Sequence, residues 1–127
     1  MSGAVGLAAA IDYVDAVGLE RIGAWEHELL QYATAKLAAV PGLTIVGQAR
    51  DKASLVSFVM DGVHPHDLGT ILDQDGIAIR TGHHCAMPVM TFFDVPATAR
   101  ASFAFYNTRA EIDRLAAALP GAREMFG

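Results

Sequence analysis

One stretch concentrates the residues able to do chemistry: Arg80-Thr81-Gly82-His83-His84-Cys85-Ala86-Met87-Pro88, which holds the only cysteine of the chain and two adjacent histidines. A lone cysteine is commonly a buried small hydrophobe. Here the preceding neighbours are polar, and a loop between a strand end and a proline is where exposed functional groups sit. A histidine or arginine nearby favours the thiolate, the nucleophilic form. Cys85 is therefore a candidate covalent nucleophile. A metal site is the rival chemistry. Three consecutive side chains point in different directions and seldom share one ion, and no second Cys/His pair at finger-like spacing exists, so no metal is expected.

Arginines come next. Arg100 lies in a run of apolar and small residues, Thr98 to Phe105, where a guanidinium needs an anion and its fork suits a carboxylate. That carboxylate could belong to a substrate or to a structural aspartate. Arg80 opens the cysteine stretch. His64 and His66 flank an expected helix start and read as capping or surface groups, and His27 reads as a surface residue on a helix.

Bulk properties limit the setting. A chain of 127 residues suits one domain. The net charge is -5, with no basic footprint for nucleic acid. Apolar runs are too short and too interrupted to span a membrane, and no charged segment precedes the first apolar residues, so no signal peptide is expected. A single cysteine makes no internal disulfide, and a reduced, cytoplasmic setting is the expectation. Hydrophobic residues make up 53% of the chain before its 12 glycines are added, above the ~45–50% usual with glycine included. Alanine-rich helices would explain this, as would apolar surface that normally faces another domain or subunit.

These residues need elements to position them. Residues 4–17 form an alanine-rich helix, apolar on nearly every face, as expected of a helix buried on several sides, with Gly18 as its left-handed stop. A second helix over 19–39 buries Ile22, Trp25, Leu29, Ala33, Leu37 and Val40 at three- and four-residue spacing. Leu43 to Gly47 and Ala53 to Met60 read as strands pairing antiparallel across a polar turn. A third helix starts at His64-Pro65 and runs to Asp73. Ile77-Ala78-Ile79 reads as a third strand, Pro88 to Phe93 as one irregular helical turn, and Thr98 to Tyr106 as a fourth strand with Arg100 and Ser102 on one face. Thr108 and Glu111 form a capping box for a last helix. Short connections in this order predict an α+β fold: an antiparallel or mixed four-stranded sheet with helices mainly on one face.

The run Ile77 to Pro88 resembles the active-cysteine segment of group II, SufS-type cysteine desulfurases of the class V aminotransferase family. The similarity continues through His64-Pro65-His66-Asp67, Leu72-Asp73-Gln74-Asp75-Gly76, Pro96 to Ser102 and Tyr106-Asn107-Thr108. It implies the small domain of a fold-type I pyridoxal phosphate enzyme over residues 19–127, with residues 1–18 as the end of a connecting helix from a large domain not contained here. The implied activity takes sulfur from L-cysteine with pyridoxal 5'-phosphate, releases L-alanine and leaves a persulfide on Cys85. A SufE- or SufU-like acceptor would collect that sulfur for iron–sulfur cluster assembly. On the same resemblance Arg100 binds the substrate carboxylate, Arg80, His83 and His84 support the loop, and the complete enzyme is a homodimer. The family's cofactor lysine has no match, since only Lys36 and Lys52 occur and neither follows a histidine; the cofactor would be bound by the large domain, and the fragment alone is expected to be inactive. A stand-alone sulfur carrier without cofactor and a selenocysteine lyase-type activity are the alternatives.

Overall fold

The computed structural model describes residues 1–126. Helices α1 (Ser2–Val17) and α2 (Leu19–Ala38) are followed by strands β1 (Leu43–Val46) and β2 (Leu55–Met60). Helix α3 (Pro65–Gln74), strand β3 (Arg80–Gly82), the short helix α4 (Met87–Phe92), strand β4 (Thr98–Ser102) and helix α5 (Arg109–Glu124) complete the chain. The sheet order is β1-β2-β4-β3, and every pairing is antiparallel. This is the expected α+β architecture, with the antiparallel alternative realised.

The core lies where period-two and period-3.6 patterns meet. β2 buries alternate residues, Val56, Phe58 and Met60, and β4 buries Ala99 and Ala101. Against them pack Leu29, Ala33 and Leu37 of α2, Leu68 and Leu72 of α3, and Ile112, Leu115 and Leu119 of α5. Helices α2, α3 and α5 thus cover one face of the sheet. Strand alternation sends Ser57 and Arg100 to the opposite face.

Two strand boundaries move from their expected places. Ile77 to Ile79 is not the third strand. Gly76 at φ 71° caps α3, its N–H reaching Asp73 O, while the Ile77 N–H bonds to Leu72 O at 2.9 Å. That is a Schellman end; it spends Ile77 on the helix, and the ladder begins only at Arg80. β4 stops at Ser102 rather than Tyr106. The Asn107 side chain accepts from the Ala104 N–H at 2.9 Å and closes a turn that strand propensity does not register. The capping box of α5 forms as expected, through Thr108 and Glu111.

Helix α1 corrects the expectation of burial on several sides. None of its residues is buried, and Val5, Leu7, Ile11 and Tyr13 are exposed. It leans on the start of α2 and on the Phe105 ring, the latter 6.1 Å from the Tyr13 ring. Gly18, at φ 95°, turns the chain by 79° between α1 and α2. Among the described residues no single helix is long and apolar enough to cross a membrane.

Candidate functional site

Cys85 is exposed, in the loop between β3 and α4. Its backbone is unusual. His84 at φ 53° and Cys85 at φ 57° are consecutive left-handed residues without a glycine, a conformation costing roughly 1–2 kcal/mol per residue. Something must hold it. The Ala86 N–H donates to His83 O at 2.9 Å and closes the turn. The ring of His84, half-buried, has Nε2 at 3.2 Å from Thr98 O on β4. Gly82, at φ 122°, lets the chain leave β3 in a direction that a side chain would resist. Pro88 falls in the first turn of α4, where a missing N–H is no loss.

Across the ladder, Arg80 stands directly opposite Arg100, and Ser57 faces Arg100 from the other side. Directly paired residues share a face, so both guanidiniums lie on the side of the sheet away from α2, α3 and α5. Arg80 is exposed and Arg100 half-buried. Neither forms a salt bridge among the described residues, and the buried Arg100 Nε has no hydrogen-bond partner. No aspartate among the described residues pairs with Arg100. What is left is an unmatched, half-buried cation on the sheet face opposite the helices, on the strand to which the cysteine loop is tied.

The five residues singled out in sequence are thus sorted. Cys85, His84, Arg80 and Arg100 gather at the β3–β4 end of the sheet. His83 lies in the loop, exposed, and supports it through its carbonyl rather than its ring. Thr98 was missed. It is 1% exposed, its carbonyl receives His84, and only its place two residues before Arg100 could have flagged it. His64 does cap α3, accepting from the His66 N–H at 3.2 Å, and His27 is exposed beside Gln31. Among the described residues no cluster of three or more His, Cys, Asp or Glu could hold a metal ion.

Both lysines are occupied elsewhere. Lys36 Nζ lies 2.9 Å from Asp113 Oδ1, between α2 and α5. That hydrogen bond, and then Tyr32, hold its ammonium charged above the ordinary range. Lys52 donates to Gly47 O at 3.3 Å in the β1–β2 turn.

The family model for class V aminotransferases matches residues 1–115. The chain belongs to the class V aminotransferase family. A probable cysteine desulfurase of Halalkalibacterium halodurans is 52% identical over 127 residues, all of this chain and 31% of that protein. The chain thus spans about a third of the length of the curated relatives it matches. Among solved structures, the apo cysteine desulfurase of Thermococcus onnurineus superposes with a TM-score of 0.88 at 39% identity, over 98% of this chain and 30% of that one. The S-sulfonic acid form of a cysteine desulfurase from Escherichia coli gives 0.88 at 36% identity, over 97% of this chain and 30% of that one.

Pyridoxal 5'-phosphate, the cofactor implied for the family, does not fit the residues present. A Schiff-base lysine must offer a free amine. Lys36 is held as an ammonium on the helical side of the sheet, and Lys52 donates to a carbonyl of the β1–β2 turn.

Proposed function

We propose that this chain is the small-domain part of a cysteine desulfurase of the group II type. The observation that carries the reading is the juxtaposition at the β3–β4 end: an exposed cysteine in a held left-handed loop, tied to the strand that bears an arginine with no internal anion. The names of the similar proteins support the same reaction. Arg100 holds the α-carboxylate of L-cysteine by paired charge-assisted hydrogen bonds. The Cys85 thiolate attacks the substrate sulfur. A sulfur–sulfur bond forms as the carbon–sulfur bond breaks, the electron pair stays with the carbon skeleton, and that skeleton is protonated and leaves as L-alanine.

The remaining parts of the proposal concern the complete protein. A large domain outside these 127 residues binds pyridoxal phosphate, residues 1–18 connect to it, and the enzyme is a homodimer. It works in the cytoplasm, and a SufE- or SufU-like acceptor collects the persulfide sulfur for iron–sulfur cluster assembly. In that complete protein, Cys85→Ser abolishes the persulfide seen by intact mass after cysteine is added. Acceptor-dependent sulfide release that survives the substitution counts against the reading.

The absence of a fitting lysine among these residues favours one second reading, a sulfur carrier acting without cofactor. The chain alone would then gain 32 mass units, one sulfur atom, from a persulfide donor and lose them to an acceptor.

A further inference from the structure

We propose that His84 is a positioning residue whose imidazole latches the cysteine loop onto β4 and so sets where Cys85 stands relative to Arg100. The consequence for sulfur transfer rests on the reading above; the latch itself rests on geometry. His84 and Cys85 are both left-handed, a state a non-glycine residue leaves unless its surroundings hold it. Two contacts are in place to hold it. One is the local turn closed by Ala86 on His83, which fixes the loop on itself but not on the sheet. The other is His84 Nε2 to Thr98 O, 3.2 Å across fourteen residues, which joins the loop to the strand.

The acceptor defines the donor. A carbonyl oxygen only accepts, so Nε2 must carry the hydrogen, and the neutral ring is the Nε2–H tautomer. The acceptor is also rigid. Thr98 is 1% exposed, pairs with Gly82 in the ladder and precedes Arg100 by two residues on the same strand. A bond to its carbonyl therefore refers the left-handed pair to the strand that carries the carboxylate-binding group. Burial agrees with this division: the latching ring is half-buried, while His83 before it and Cys85 after it are exposed.

The test begins with the wild-type chain. Long-range proton–nitrogen NMR correlations should show the neutral His84 ring as the Nε2–H tautomer, and an Nδ1–H ring overturns the latch. His84→Phe keeps the ring volume without a donor, and His84→Gln keeps a donor near the Nε2 position. Amide exchange of residues 83–86 should quicken about three- to tenfold in His84→Phe, the loss of one hydrogen bond, and return towards wild type in His84→Gln. Unchanged exchange in a folded His84→Phe chain overturns the proposal; if that variant fails to fold, the tautomer of the wild type decides. In the complete enzyme His84→Phe should lower kcat for cysteine and leave KM near wild type. A raised KM with unchanged kcat overturns the positioning role. The NMR and exchange readouts need no turnover, so they stand or fall apart from the desulfurase reading.

Discussion

Arg80 and Arg100 face each other across the β3–β4 ladder, and like charges placed directly opposite repel. Arg100 also buries an Nε with no partner, and an unsatisfied buried donor costs ~1–3 kcal/mol. A pairing that weakens the fold at the β3–β4 end of the sheet is what the proposed binding of a substrate carboxylate would account for. Stability and function should then move in opposite directions at this residue. Arg100→Met should leave the folded chain as stable as wild type or more stable by about 0.5–1 kcal/mol, read by urea unfolding. In the complete enzyme the same change should raise KM for cysteine about 10- to 100-fold, the loss of hydrogen bonds to a charged group. A marked loss of stability would identify Arg100 as a structural residue instead.

At the scale of elements, the position of the site depends on how closely α3 approaches β3. A Cβ at Gly69 would lie 2.8 Å from Thr81 Cγ2, and a β-branched threonine has little freedom to move away. Gly69→Ala should cost about 1–3 kcal/mol by overpacking, and Thr81→Ser, which lacks the methyl group, should recover most of it; a double-mutant cycle measures the coupling. The other end of the molecule is fixed by the capping box. The Thr108 backbone N–H at 2.7 Å, and then the Asn107 side chain, hold the Glu111 carboxyl below its ordinary value of 4.5. A carboxyl depressed in the folded state contributes stability above its unfolded value, lost as pH falls through the folded one. Urea unfolding of wild type and Glu111→Gln should therefore differ at neutral pH and converge in acid below that range.

Much of this level was legible in the sequence. The α2 stripe from Ile22 to Val40, the alternation of β2 and the Thr108–Glu111 box are local patterns, and local patterns survive folding. The three departures turn on particular hydrogen bonds and partners that propensity does not register. Whether Ile77 joins a ladder depends on a Schellman cap using its N–H and on which residues β4 offers. Where β4 ends depends on an Asn107 turn. Whether α1 is buried depends on partners that the pattern does not name. In the site, the cysteine segment and Arg100 could be singled out from residue type and resemblance. The direct Arg80–Arg100 pairing and the nearness of the Thr98 carbonyl follow from sheet register, and the left-handed pair from the loop's backbone; no stretch of sequence states either.

For the whole molecule, the apolar excess has two visible sources. Alanines fill α1, and large apolar side chains also stand in solvent: Val5, Leu7, Ile11 and Tyr13 on α1, and Met87, Val89 and Phe92 on α4 beside the cysteine loop. Because no residue of α1 is buried, removing residues 1–17 should change the unfolding free energy by less than about 1 kcal/mol, measured by denaturant titration; a loss of several would place α1 in the core. The lysines make a second prediction at this scale. Mixing the 127-residue chain with pyridoxal phosphate and reducing with borohydride should leave no site-specific adduct by intact mass, and an adduct removed by Lys36→Met or Lys52→Met would contradict the fit described above.

The cysteine loop is hinged at neither end. It leaves β3 and runs through α4 into β4; these two strands are neighbours in one ladder, and His84 is fastened to β4 before α4 begins. A segment stitched to the sheet at its two ends and once between is a fixed outlet, not a swinging arm. A group carried on Cys85 is offered at one place within the reach of a single side chain. On the proposed reading, the travel in a handover falls to the recipient, which brings its own acceptor atom to the sheet edge.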